Sequence, residues 1–144
     1  MDKEERAVSM FASGYNCAQS VLAAFCEDYN LDTNTALMMA NPLGGGARCG
    51  ELCGALAGGL LVVGLECGFF AKGDLDQKRI CNEKSYEYLH EFQKENGAVV
   101  CRELLGIDIR SNEDHMAADV LPTIKEKCPN FVACAVRLLE DLGY

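Results

Sequence analysis

Between residues 49 and 65 the chain reads Cys-Gly-Glu-Leu-Cys-Gly-Ala-Leu-Ala-Gly-Gly-Leu-Leu-Val-Val-Gly-Leu. Its length suits one helix, yet each glycine disfavours a helix by about 1 kcal/mol relative to alanine, so something must offset that cost. Gly50, Gly54 and Gly58 fall at i, i+4 and i+8. On a helix these positions form a groove in which a neighbouring helix or a bound group can approach the backbone closely. The segment therefore predicts a central, buried helix over 49–65, with the remaining elements packed around it. Its longest apolar stretch, Ala55 to Leu65, is 11 residues, whereas a bilayer span needs about 20. No membrane insertion is expected.

The rest of the chain is read by helical periodicity, since no segment alternates apolar and polar residues cleanly enough for a strand. A first amphipathic helix is predicted from Lys3 to Ala12, with Ala7, Met10 and Phe11 inward and Ser13-Gly14 ending it. Asn16 caps a second from Cys17 to about Asp28, where Cys17, Val21, Leu22 and Phe25 share a face and Cys26 lies on the opposite side. A short third helix spans about Thr33 to Ala40, capped by Asp32 or Asn34 and stopped by Asn41-Pro42.

A long amphipathic helix is predicted from Asp74 to Glu95, with Ile80, Tyr86, Leu89 and Phe92 inward and Gly97 as its stop. Cys101 to Gly106 makes one short helical turn. Ser111 to Lys127 and Asn130 to Leu142 follow, with Pro122 ending or kinking the former and Pro129 opening the latter. The expected architecture is all-α: one domain over residues 1–144, a bundle of about six helices around the glycine-rich one.

Charge narrows the partners. Thirteen basic against 22 acidic residues give a formal charge of −9, which repels phosphate backbones, and the basic residues form no run. Nucleic acid is not an expected partner. The charged start, Met1-Asp2-Lys3-Glu4-Glu5-Arg6, lacks the apolar core of a secretory signal, so a cytoplasmic location is expected. Residual apolar surface makes a homodimer plausible.

In a reducing compartment nine cysteines are not read as a disulfide scaffold, and an odd number cannot pair completely. Cys49 and Cys53 lie four apart, which on a helix puts both thiols on one face. A helix N-terminus following the flexible Gly44-Gly45-Gly46 loop, with Arg48 next door, would lower a thiol pKa and raise its reactivity. The same two residues also suit a crowded core as small apolar side chains.

Gly44, Gly45, Gly46 and Arg48 could together cradle an anion at that N-terminus. They do not form GxGxxG, since Cys49 stands where glycine is required. Covalent haem needs CxxCH, which is absent. His90 and His115 both sit in polar helical sequence and are expected to be solvated.

The run Cys53-Gly54-Ala55-Leu56-Ala57-Gly58 resembles the CGAxxG signature of the C_GCAxxG_C_C family, named for its four-cysteine pattern. Asn16-Cys17-Ala18-Gln19 is similar to the family's amino-terminal cysteine motif and Cys101-Arg102-Glu103-Leu104-Leu105-Gly106 to its third, with Cys128 where the fourth would lie. The resemblance implies a helical fold and a redox role resting on Cys17, Cys53, Cys101 and Cys128. It also extends to the part of split-Soret cytochromes c suspected of holding an iron–sulfur centre, which implies that these four residues could ligate a cluster or another metal. Cys49, Cys26, Cys67, Cys81 and Cys134 are additional to the pattern, and Cys49 is the first candidate to supply or replace a ligand.

The spacings match neither the CxxC pairs of structural zinc nor compact ferredoxin runs, so any metal site would need ligands converging from separate helices. Three functions follow as expectations. The first is electron transfer at a cysteine cluster, through an iron–sulfur or other thiolate-bound metal centre, with a redox partner the sequence does not identify. The second is thiol–disulfide redox with no cofactor. The third is a binding or interaction module with structural cysteines.

Overall fold

A computed structural model describes residues 1–144 and contains eight α-helices and no strand. They are α1 (Lys3–Ala12), α2 (Cys17–Phe25), α3 (Thr33–Ala40), α4 (Gly54–Cys67), α5 (Leu75–Asn96), α6 (Cys101–Leu105), α7 (Asn112–Met116) and α8 (Leu121–Asp141). The all-α expectation holds. No helix is long and apolar enough to cross a membrane.

Capping explains most of the boundaries. Asp2 and Asn16 each form a reciprocal capping box, with Glu5 and Gln19 respectively, and Asp32 and Asp74 accept from the backbone N–H three residues on. These contacts satisfy N–H groups that a helix start leaves unpaired. Gly97 closes α5 and Gly106 closes α6, both in the left-handed conformation expected at such ends.

The glycine-rich helix is central, packed against α2, α5 and α8. Leu56, Val62 and Val63 of α4 meet a core that includes Leu22, Phe25, Tyr88, Phe92, Val132 and Leu139, all fully buried. A Cβ at Gly58 would stand 2.5 Å from the Ala18 carbonyl oxygen, and one at Gly54 would fall on the Cys17 sulfur. These two glycines thus let α2 and α4 cross at close range, and the packing this permits offsets their poor helix propensity.

The central helix begins at Gly54, five residues later than the sequence suggests. Gly45, Gly46, Ala47 and Arg48 are all left-handed, with φ of 65°, 63°, 57° and 64°. The chain then runs extended through Leu52, which bridges antiparallel to Val100. Gly50 lies in this loop with φ 73°, outside the helical groove. Cys49 and Cys53 consequently do not share a helix face. A left-handed turn followed by pairing with a distant segment satisfies the backbone of residues 51–53 without a helical turn.

The C-terminal third also differs from expectation. The segment after Ser111 forms only the five-residue α7, and α8 runs unbroken from Leu121 to Asp141. Pro122 sits in the first turn, where its missing N–H costs nothing, and Pro129 lies inside the helix. Burial of Val132, Ala135, Val136 and Leu139 on the core offsets that interior proline. In α5, Tyr88 and Phe92 are the buried residues, while Tyr86 is 72% exposed.

Candidate functional site

Cys53 is the residue before α4, and its position is fixed by a short pairing of the 51–53 segment with residues 99–101. The Cys53 N–H donates to the Val99 carbonyl at 2.8 Å, and the Cys101 N–H donates to the Glu51 carbonyl at 2.5 Å. Between these bonds lies the Leu52–Val100 bridge. Two cysteines 48 positions apart in sequence are thereby brought to one short ladder, Cys53 opposite Val99 and Cys101 opposite Glu51. An ion pair from Arg102 to Glu51 ties the same two segments together.

Cys17 is the first residue of α2, directly after the Asn16 cap. The Asn16 side chain donates to the Asn41 carbonyl at 2.9 Å, which fastens the start of α2 to the end of α3. Cys128 comes from the middle of α8, immediately before Pro129.

These four cysteines line one cavity of about 140 Å³. Its wall also includes Asn16, Gly45, Arg48 and His115, with Phe11 and Phe131 among its apolar residues, and it contains no carboxylate. Cys53 and Cys101 are 5% and 8% exposed, and Cys17 and Cys128 are half-buried.

Burial raises all four thiol pKa values. It is the largest effect at Cys17, where backbone groups of Gly45, Ala18 and Ala55 pull partway back. Cys53 is pushed up to about 12 by burial and then by the neighbouring Cys17, against the opposing pull of the Leu56 and Ala55 backbone at the start of α4. Cys101 also reaches about 12 through burial and Cys17, with Arg48 and Arg102 acting in the opposite direction. Cys128 is raised by burial and by the other three thiols in turn. Cys17 therefore acts on each of its partners. The activated, low-pKa Cys53 expected from the sequence is overturned: the helix-start effect is present, but loss of solvation outweighs it.

The remaining sequence candidates divide. Cys49 is exposed and outside the cavity, with its sulfur 3.5 Å from the Gly46 carbonyl. Of the glycine run, Gly45 lines the cavity, whereas Gly44 and Gly46 are buried behind it. The helix N-terminus proposed to cradle an anion at Cys49 does not form there. Arg48 does face the cavity, held by a hydrogen bond from its guanidinium to the Asn112 side chain. Cys26 and Cys134 are buried elsewhere.

His115 is a residue the sequence reading missed. It is 5% exposed rather than solvated and lies in the cavity wall, while His90 is exposed as expected. The polar run around His115 carried no sign of burial, which results from α7 packing on the 46–50 loop.

Residues 15–142 match the family described as "Putative redox-active protein (C_GCAxxG_C_C)". The chain belongs to this family. No curated protein and no solved structure matches it. The four cysteines of the C_GCAxxG_C_C pattern are the four that meet at the cavity, although they come from α2, the approach to α4, α6 and α8.

The donor set of this C_GCAxxG_C_C protein suits a thiolate-bound group. Four sulfurs and one imidazole line the space, and no carboxylate of the kind that anchors magnesium or calcium is among its residues. The Nε2 of His115 is buried without a hydrogen-bond partner. No three His, Cys, Asp or Glu side chains are grouped so as to hold a single metal ion.

Proposed function

We propose that the protein carries electrons at a centre held by Cys17, Cys53, Cys101 and Cys128, an iron–sulfur or other thiolate-bound metal group. The observation supporting this reading is the convergence of four thiols from separate elements on one carboxylate-free cavity. An iron–sulfur group, when bound, would supply a one-electron couple, whereas paired thiols offer only the two-electron dithiol/disulfide couple.

The chain's own contribution follows from its electrostatics. Burial keeps the free thiols protonated near neutral pH, so Cys17, Cys53, Cys101 and Cys128 would each have to release a proton to hold a metal group as thiolates. Arg48, lying beside Cys101, offsets part of the negative charge of the resulting thiolates. Phe11, Leu104 and Phe131 restrict water at the sulfurs.

Anaerobic purification from iron-supplied cells tests the reading. The protein should be coloured and contain iron and sulfide. Serine at position 17, 53, 101 or 128 should abolish the colour, whereas Cys26→Ser and Cys81→Ser should leave it. Colourless protein after anaerobic reconstitution, with zinc also absent, would overturn the metal reading.

That outcome would favour thiol–disulfide redox, which is supported by the proximity of Cys17 to its three partners. Two thiols would form one sulfur–sulfur bond, releasing two protons and passing two electrons to a disulfide or quinone acceptor. Mapping of the oxidised protein should then join Cys53 to another of the four.

A further inference from the structure

His115 is anchored from behind. Ser111 caps α7 by accepting from the Asp114 N–H at 3.1 Å, and Asp114 in turn accepts from the N–H groups of Arg110 and Ser111. The Ser111 carbonyl lies 2.8 Å from His115 Nδ1. A carbonyl can only accept, so Nδ1 carries the proton, and in the neutral ring Nε2 is left with a bare lone pair. A metal-ligating histidine is held in the same way, with its far nitrogen donating to a backbone carbonyl.

The other face of the ring abuts the glycine loop. A Cβ at Gly45 would stand 2.8 Å from His115 Nε2, so the glycine and its left-handed turn make room for that nitrogen. Nε2 is buried in the wall of the thiol cavity with no hydrogen-bond partner. An unsatisfied buried polar atom costs about 1–3 kcal/mol. No residue of the chain supplies a partner, so the Nε2 lone pair is free to bond what the cavity takes up.

We propose that His115 Nε2 is a ligand of the group bound at this cavity, filling one of the four terminal positions of an iron–sulfur cluster in place of one of the four thiols, which makes the donor set mixed thiolate and imidazole and revises the all-cysteine ligand set. One of the four single Cys→Ser variants should then keep its colour. This inference rests on the proposed metal centre. Binding through Nε2 requires no proton loss from the ring, because the lone pair is already free and Nδ1–H stays on the Ser111 carbonyl. The thiol ligands, in contrast, each release a proton.

Protein reconstituted anaerobically with iron and sulfide, then brought to its paramagnetic state, should show by pulsed electron paramagnetic resonance the strong nitrogen coupling of a bound imidazole. His115→Gln should lose that coupling and shift the visible spectrum and the reduction potential, while His90→Gln should change none of them. Nitrogen-15 NMR of the metal-free protein gives a check that does not depend on reconstitution or on the variant folding: His115 should be the Nδ1–H tautomer. A coloured centre without nitrogen coupling, or the Nε2–H tautomer in the metal-free protein, overturns the assignment of His115 alone. Absence of any iron-containing centre in the wild-type protein overturns the metal reading and this inference with it.

Discussion

The sulfur of Cys17 fills the space that a side chain at Gly54 would occupy. The close crossing of α2 and α4 is therefore also the contact that seats the first cysteine beside the second. Gly54→Ala should destabilise the protein by about 1–3 kcal/mol through overpacking and push Cys17 out of place. Gly64→Ala, on the same helix with nothing within 4 Å of the new methyl, should stabilise it by about 1 kcal/mol. Urea denaturation of the two variants checks the contrast.

The buried thiols give the reduced, metal-free protein a characteristic alkaline limit. Free thiols in the unfolded chain titrate near 9.0, whereas Cys53 and Cys101 in the folded protein titrate at about 12. Within that interval the unfolded chain has lost protons that the folded protein keeps. Stability should hold steady below pH about 9 and fall progressively towards about 12. Urea midpoints measured across this range should decline, less steeply in Cys53→Ser. Alkylation of native protein should reach exposed Cys49 well before Cys53 or Cys101.

Tyr88 is fully buried against the small side of α4 at Gly59, with its hydroxyl unpartnered. Tyr88→Phe removes that hydroxyl and retains the ring. The expected result is a gain of about 1–3 kcal/mol, the cost of an unsatisfied buried group. A loss of stability in thermal unfolding would show that the hydroxyl has a partner.

Ala47 is an exposed, non-glycine residue held at φ 57° in the loop behind the cavity. The left-handed conformation costs about 1–2 kcal/mol for an L side chain, partly offset by glycine's larger loss of freedom on folding. Ala47→Gly should therefore be neutral or stabilising by up to about 1 kcal/mol. Ala47→Val, branched at Cβ, should destabilise. Chemical denaturation of both variants tests the sign.

Local signals sufficed wherever a helix is decided by its own residues. The cap at Asn16, the stop at Gly97 and the limits of α1 and α3 were all legible in this way, and of the two cap candidates for α3, Asp32 and Asn34, it is Asp32 that caps. The grouping of Cys17, Cys53, Cys101 and Cys128 came from the family resemblance, since their spacing forms no recognisable ligand motif. What sequence reading missed depends on distant partners. Residues 51–53 leave the helix because residues 99–101 pair with them, Pro129 stays within α8 because the core covers that helix, and His115 is buried by a loop more than 60 residues away.

The four cavity cysteines are separated by intervals of 36, 48 and 27 positions, from 17 to 53, to 101 and to 128. During synthesis the pocket cannot close until the last of them has left the ribosome, and much of α8 must follow before that helix can dock. Contacts of such long range form late and slowly. Any group that the four cysteines hold can consequently be taken up only after Cys128 and the part of α8 around it have been made, and on the proposed function a truncation within α8 should leave protein that takes up no iron even where α1 to α4 have formed.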